Sequence, residues 1–226
     1  MDPSNGIPVD VLPAGEEAVL VEVADLDDVL ALGAALRSMA ASAAGPWGSV
    51  TDLVPGARTL LVVAGPRTDL VGLSRSVREV AARADRSADP GAGRASVPVV
   101  EVPVRYDGPD LGDVAALTGL TVSDVVAAHT RTPWRVAFGG FAPGFAYLVG
   151  GDARLRVPRR DTPRVSVPAG SVALAGGFSA VYPRPSPGGW QLIGTSDVVL
   201  WDVERQPPAL LTPGTAVRFV DEGSDA

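Results

Sequence analysis

The stretch VSVPAGSVALAGGFSAVYPRPSPGGWQLIGTSDVVLW, residues 165–201, consists of short apolar runs separated by glycine and proline. From Pro133 onward, runs of strand length occur at 135–138, 165–167, 172–175, 191–194, 198–201 and 216–220. Many short strands with glycine and proline at the turns are typical of β-sandwiches and closed β-barrels. The sequence therefore predicts a closed or sandwiched β domain in this half of the chain.

The chain before this region alternates between strand-like and helix-like patterns. Strands are predicted at 19–23, 50–54 and 60–64, and helices from Leu26 to the break at Gly45-Pro46 and over 69–86. The first ninety residues thus predict a small α/β domain.

Residues 87–96 have no periodicity and are typical of a linker. After them the chain is predicted to be extended over 97–104, with two short helices near 110–117 and 121–129. We therefore expect an α+β protein with two domains. The predicted bounds are 1–90 for the N-terminal α/β domain, 91–98 for the linker, and 99–226 for the β domain with the two short helices at its start.

Composition excludes several classes of function. The chain has 226 residues and a formal net charge of −7, which argues against non-specific nucleic-acid binding. Cysteine and lysine are absent and His129 is the single histidine, so thiolate, Schiff-base and two-histidine metal chemistry are excluded, and no metal site is expected. No apolar run has the length of a membrane helix and no signal sequence is visible, so we expect a soluble, cytoplasmic protein.

Residues 113–126 have the spacing of a helix-turn-helix, with a glycine at the turn. The second helix offers no basic side chain before Arg131, so two packed helices are favoured over a DNA-reading element. Thr121 and Asp124 have the spacing of a capping box, and His129 follows on the apolar face of the same helix. His129 is then either a hydrogen-bonded core residue or the one group at a site that titrates near neutral pH.

Arginine is concentrated between residues 131 and 184, where eight arginines face only two aspartates. Guanidinium groups hold carboxylate or phosphate groups in a bidentate manner, so this region is a candidate anion site or an interface for an acidic partner. A solvated surface opposite acidic loops remains an alternative. Two glycine-rich segments, 138–148 and 186–194, flank the region and are typical either of ligand approach or of tight turns.

Read together, these motifs resemble the allophanate hydrolase subunit 1 family, whose members include the KipI-type inhibitor of a sporulation kinase and the B subunit of 5-oxoprolinase. The resemblance is strongest in GFAPGFAYL at 140–148, and it extends through VPR at 157–159, VPAGSV at 167–172, YP at 182–183 and SPGGW at 186–190. It implies a cyclophilin-like β-barrel after a small α/β domain, in a carboxyltransferase-type protein.

The resemblance also implies a function and partners. It implies one subunit of an ATP-dependent 5-oxoprolinase, a hydrolase that opens the 5-oxoproline lactam to glutamate. This chain would act in a hetero-oligomer with the A and C subunits of 5-oxoprolinase, the latter similar to allophanate hydrolase subunit 2. ATP is then the implied cofactor of the assembly, although this chain has no nucleotide motif. Two alternatives stay open: a KipI-type inhibitor of a histidine kinase, and the carboxyltransferase half of a biotin-dependent enzyme similar to urea carboxylase.

Candidate site residues come from the same motifs. Arg159 and Arg164 are candidates to hold the substrate carboxylate, and His129 is a candidate acid or base. The candidate substrate-binding residues are Phe141, Pro143, Gly144, Tyr147, Ser171, Tyr182, Gly188, Gly189 and Trp190. The chain departs from the family pattern at Phe178-Ser179-Ala180 and at Thr195-Ser196-Asp197, which changes polar groups expected in the barrel pocket.

Overall fold

The computed structural model describes residues 6–85 and 99–223. The chain divides into two compact units, Met1–Arg94 and Ala95–Ala226. The predicted linker at 91–98 lies outside the described residues.

The first unit is a four-stranded antiparallel sheet with two helices. Its elements are β1 (Asp10–Pro13), β2 (Ala18–Glu22), α1 (Leu26–Ser42), β3 (Val50–Pro55), β4 (Thr59–Ala64) and α2 (Leu70–Ala81). The strand order is β1-β2-β4-β3. Asp25 caps α1 by accepting from the amide of Asp28, and Asp69 caps α2 by accepting from Val71 and Gly72. The apolar faces of the helices and the sheet form one buried cluster.

The second unit contains two short helices and most of the strands. Its elements are β5 (Val99–Val104), α3 (Leu111–Thr118), α4 (Val122–Arg131), β6 (Trp134–Gly139), β7 (Ala146–Val149), β8 (Arg164–Val167), β9 (Ser171–Ala175), β10 (Phe178–Val181), β11 (Ser186–Gly188), β12 (Gln191–Thr195) and β13 (Ala216–Asp221). Seven strands form one sheet in the order β12-β9-β10-β7-β6-β13-β5, and β11 pairs with β8 in a separate ribbon.

A pair of backbone hydrogen bonds closes the seven-stranded sheet into a barrel. Arg105, just after β5, donates to the carbonyl of Thr195 at 2.9 Å, and Thr195 donates back at 2.8 Å. Close approach at this seam requires glycine, because a Cβ at Gly194 would overlap the carbonyl oxygen of Arg105. The α+β class and the barrel expected from the sequence are therefore confirmed.

Several strands differ from the sequence prediction. The run at 198–201 is not a strand and forms only an isolated bridge from Trp201 to Ala209. Three short strands, β7, β10 and β11, were not predicted, because glycine or proline lies within or beside each of them. The first strand, β1, was also missed.

The helical pair α3 and α4 is joined at Gly119, whose φ of 69° ends α3 in the left-handed region. The predicted capping box of Thr121 and Asp124 is present at the start of α4. Within the described residues, no helix is by itself long and apolar enough to cross a membrane. The pair α3 and α4 reaches that length and composition only when taken together, with a 90° bend between them.

Candidate functional site

An aromatic cavity of about 300 Å³ lies on the barrel unit between the two glycine-rich segments and the arginine-rich loop. Hereafter it is called the aromatic cavity. Its lining residues are Phe141, Phe145, Tyr147, Arg159, Arg160, Pro163, Tyr182, Pro187, Gly188, Gly189 and Trp190. Seven of the predicted site residues are thus brought together: Phe141, Tyr147, Arg159, Tyr182, Gly188, Gly189 and Trp190.

The walls of the aromatic cavity are rings packed edge to face. Phe145 is central, with ring centroids 5.0 Å from Tyr147, 5.3 Å from Tyr182 and 5.7 Å from Trp190. Such contacts fix each ring, and the strands β7 and β12 hold the backbone beneath them. The cavity therefore has a rigid apolar wall suited to a small, flat ligand.

Phe141 lies at the rim of the cavity in a strained backbone conformation. Its φ is 68°, a left-handed value that is uncommon for a phenylalanine, and its side chain is 56% exposed. The ring contacts Phe145 and Tyr182 edge to face. Strained residues of this kind cluster at ligand sites, where surrounding contacts hold them in place.

Arg159 supplies a positive charge at the same cavity. Within residues 6–85 and 99–223 it has no hydrogen bond to another side chain and no ion pair. Its charge acts on two cavity tyrosines: burial raises the pKa of both Tyr147 and Tyr182, and Arg159 opposes that rise. Both phenols therefore stay protonated at neutral pH and can donate hydrogen bonds to a ligand.

Arg160 and Arg164, which lie close to Arg159 in the sequence, are held by a buried carboxylate. Arg160 Nη1 and Arg164 Nη2 both donate to Asp110 Oδ1 at 2.7 Å, and the amide of Leu192 donates to Asp110 Oδ2 at 2.7 Å. Burial by itself would raise the pKa of Asp110. The hydrogen bonds from Arg164 and Leu192 and the two arginine charges outweigh it, so the pKa of Asp110 is lowered.

A second, more open cavity of about 620 Å³ adjoins the first and shares Arg159 and Arg160 with it. Its other lining residues are Asp113, Ala116, Leu117, Pro158, Asp161, Thr162 and Gln191. Hereafter it is called the polar cavity. Asp113 and Asp161 give it negative as well as positive charge.

Two of the predicted glycines have a steric reason at the site. A Cβ at Gly188 would overlap the Tyr182 hydroxyl, so only glycine lets that phenol lie against β11. Gly144 has a φ of 82°, and a Cβ there would lie 2.9 Å from Cβ of Trp201. Gly144 therefore shapes the loop that carries Phe141, although it does not line the aromatic cavity.

His129 lies away from both cavities in the core of the barrel unit. Its ring is fully buried, with Nδ1 2.7 Å from the Tyr106 hydroxyl, Nε2 2.9 Å from Ser179 Oγ, and a stacking contact to Phe219 at 4.1 Å. Burial lowers the pKa of His129 to about 3, so the ring is neutral at physiological pH. The structure thus gives His129 the hydrogen-bonded core position that the sequence left open.

Three other predicted residues do not line either cavity. Pro143 lies exposed in the loop before β7, Ser171 is buried at the start of β9, and Arg164 pairs with Asp110. The charge of Arg164 also opposes the rise that burial causes in the pKa of Tyr182. Sequence reasoning missed Arg160, Phe145, Pro163 and Pro187 as lining residues, and it did not single out Asp110. The double arginine at 159–160 was the available signal for Arg160.

The two departures from the family pattern have structural roles here. Phe178 packs against Tyr147 with ring centroids 5.6 Å apart, so it extends the aromatic wall. Ser179 is the hydroxyl that meets His129. Asp197 pairs with Arg105 at 2.9 Å, and Thr195 Oγ1 donates to Asp107 at 3.0 Å, so the second departure lies at the barrel seam.

The chain is thus an α+β protein of two units, a small α/β unit and a closed barrel that carries the aromatic cavity. The chain matches the family described as "Carboxyltransferase domain, subdomain C and D" over residues 9–211. It therefore belongs to this family.

The curated relatives that the chain resembles carry the name of one enzyme subunit. The chain is 48% identical over 126 residues to the 5-oxoprolinase B subunit of Escherichia coli O157:H7, a match that covers 54% of this chain and 58% of that protein. It is 46% identical over 125 residues to the 5-oxoprolinase B subunit of Bacillus subtilis strain 168, covering 54% of this chain and 52% of that protein. The match thus spans little more than half the length of these relatives.

Among solved structures, the chain is similar to TTHA0988 with a TM-score of 0.69 and 36% identity. The match covers 92% of this chain and 40% of that chain. The fold of both units therefore occurs inside a longer polypeptide.

Proposed function

We propose that this chain is one subunit of an ATP-dependent 5-oxoprolinase, in which the aromatic cavity binds the 5-oxoproline ring. The observation that carries the proposal is the combination of a rigid aromatic wall with Arg159, a cation that has no partner among the described residues. The names of the two curated relatives support the same enzyme.

The chemistry of the ligand fits the residues that line the cavity. 5-Oxoproline is a five-membered lactam with one carboxylate and one amide carbonyl. The ring faces suit the walls formed by Phe145 and Trp190, and the carboxylate suits the guanidinium of Arg159. Tyr147 and Tyr182 supply protonated hydroxyls within the same cavity, and such donors stabilise charge that develops on a carbonyl oxygen.

The reaction also requires groups that this chain does not supply. Opening the lactam breaks its C–N bond and adds one water molecule across it, while ATP is hydrolysed in the same cycle. The chain contains no phosphate-binding loop. We therefore place ATP on the assembly, with the A and C subunits of 5-oxoprolinase as partners. A longer relative such as TTHA0988, in which this fold occupies 40% of the chain, is consistent with a fused second part.

Reconstitution tests the proposal. This chain is mixed with its candidate A and C subunits, and ATP-dependent formation of glutamate from 5-oxoproline is followed with and without the chain. The proposal predicts turnover in the complete mixture and its loss on omission. No turnover in a complete mixture of folded subunits would refute the assignment.

A further inference from the structure

Three arginines and one carboxylate lie at or beside the aromatic cavity, and only two of the arginines form an ion pair with the carboxylate. Asp110 accepts from both Arg160 and Arg164, while Arg159 has no such partner among the described residues. Asp110 is only 2% exposed, and the amide of Leu192 also holds it in place. The carboxylate is therefore a fixed, buried negative charge beside the aromatic cavity.

We propose that Asp110 determines which anions the aromatic cavity accepts. It commits Arg160 and Arg164 to an internal ion pair, leaves Arg159 as the anion-binding group, and so reduces the advantage that a ligand with two negative charges has over a ligand with one. This inference deepens the proposed function, since it assigns a charge selectivity to the same cavity, and 5-oxoproline carries a single carboxylate.

The electrostatic argument rests on charge and burial. In the same place, a dianion is attracted by Arg159 and repelled by Asp110 twice as strongly as a monoanion, so Asp110 offsets part of the affinity that the second charge would add. A buried charge is screened less by salt than an exposed one, so this repulsion persists at physiological ionic strength. Asp113 and Asp161 at the neighbouring polar cavity add to it.

Two donor atoms of the paired arginines are covered by protein. Arg160 Nε and Arg164 Nη1 are buried and have no hydrogen-bond partner among the described residues. Because these atoms are covered by protein, a ligand in the cavity does not reach them. Arg160 lines the cavity with its charge paired to Asp110, whereas Arg159 lines it with no ion pair among the described residues.

A titration with acetate and sulfate tests the inference on this chain alone. At pH 7.5 acetate carries one negative charge and sulfate carries two. Binding is followed by NMR at Arg159 Nε and Trp190 Nε1, both at the cavity. In Asp110→Asn the ratio of sulfate affinity to acetate affinity is expected to rise at least tenfold over the wild-type ratio.

Asp152→Asn is the matched control. Asp152 also pairs with an arginine, Arg154 at 2.6 Å, but neither residue lines the aromatic or the polar cavity. Its removal changes the net charge equally and is expected to leave the affinity ratio within twofold of wild type. An unchanged ratio in folded Asp110→Asn would overturn the inference, as would the absence of any response at the cavity signals to both anions.

Two further variants keep the inference testable if Asp110→Asn does not fold. Arg159→Gln is expected to lower acetate affinity at least tenfold, whereas Arg164→Gln should retain acetate binding and lower the sulfate-to-acetate ratio. Equal loss of acetate binding in both variants would contradict the inference. These titrations need no partner chain, so they are independent of the reconstitution. If the assembly turns over but Asp110→Asn leaves the affinity ratio unchanged, the enzyme assignment stands and the role of Asp110 is refuted. If the ratio shifts but the complete assembly does not turn over, the role of Asp110 stands and the enzyme assignment is refuted.

Discussion

His129 shows at the residue scale how a single side chain can satisfy its hydrogen bonds in a core. The helical spacing placed it on the apolar face of α4 but gave no indication of the two hydroxyls that face its nitrogens. Those partners, Tyr106 and Ser179, come from positions 23 residues before it and 50 residues after it. A pairing over such distances is set by the fold, so only the burial of His129 could be predicted locally.

The buried histidine predicts a pH dependence of stability. The pKa of His129 is about 3 in the folded state and about 6.5 when unfolded, so between these values the unfolded chain binds the additional proton. The contribution of His129 to the free energy of unfolding is therefore constant above pH 6.5, and it falls by about 1.4 kcal/mol for each pH unit below that value. Urea unfolding between pH 7 and pH 4.5 measures this slope.

The variant His129→Gln provides the control for this slope. Glutamine does not titrate, so the variant should be less stable at pH 7 and nearly independent of pH down to 4.5. The buried carboxylate of Asp110 and the capping-box carboxylate of Asp124 both have lowered pKa values in the folded state. Protonation of these groups therefore lowers the free energy of unfolding only when the pH approaches and falls below their unfolded pKa of 3.8. Equal stability of the wild type at pH 7 and pH 4.5 would contradict the prediction.

Gly188 lies against Tyr182 at the aromatic cavity. Alanine at 188 would bring a methyl group into the Tyr182 hydroxyl, so this ring of the cavity wall would have to shift. Gly188→Ala is therefore expected to fold but to raise the KM for 5-oxoproline about tenfold, which corresponds to the loss of roughly one hydrogen bond. KM is measured in the reconstituted assembly.

Gly177→Ala is the control. Gly177 lines neither the aromatic nor the polar cavity, and a Cβ there would meet no atom within 4 Å. We expect its KM to stay within twofold of the wild-type value. An equal KM for 5-oxoproline in the two variants would contradict the placement of Tyr182 in the site.

At the scale of elements, the docking of α3 on β12 connects the fold to the site. The amide of Asp110 donates to the carbonyl of Leu192 at 2.9 Å, and the amide of Leu192 donates to the Asp110 carboxylate. This pair places the carboxylate under the arginine loop. Gly108 makes the approach possible, since a Cβ there would overlap the backbone of Ile193.

Gly108→Ala is expected to destabilise the barrel unit by about 2 kcal/mol or more, because the clash is with backbone that cannot move independently. Gly112→Ala is the contrasting control. That glycine lies within α3, and a Cβ there would meet no atom outside the immediate chain within 4 Å. Alanine there should stabilise the helix by about 0.5–1 kcal/mol. Urea unfolding measures both, and equal effects would contradict the docking geometry.

The elements also show which parts of the fold are visible in local sequence. The apolar runs predicted β2, β4, β9, β12 and β13, and helical periodicity with caps predicted α1 to α4. The strand predicted at 198–201 was wrong: burial alternates along the run, with Leu200 buried between the exposed Val199 and Trp201, but the run forms only the isolated bridge from Trp201 to Ala209. The pairing of β5 with β13 in parallel, and the seam at Arg105 and Thr195, join residues far apart in sequence and have no local signal.

At the scale of the whole molecule, the candidate site follows from the closure of the barrel. The two glycine-rich segments and the arginine-rich loop were visible in the sequence, and the fold brings most of them to one cavity. Two catalytic candidates lie elsewhere: His129 in the core and Arg164 in an internal ion pair. The clustering of arginines indicated an anion site, but it could not show which of these arginines form ion pairs with a buried aspartate.

The most direct test of the account is the rate of ATP-dependent glutamate formation by the complete assembly containing Arg159→Gln. Loss of the guanidinium removes a charge-assisted hydrogen bond, which is worth about 1.5–3 kcal/mol. We therefore expect the KM for 5-oxoproline to rise roughly 10- to 150-fold while the fold is unchanged. Arg154→Gln, which removes an exposed arginine outside both cavities, should keep the wild-type KM. Wild-type kinetics in Arg159→Gln would contradict the assignment of substrate binding to the aromatic cavity.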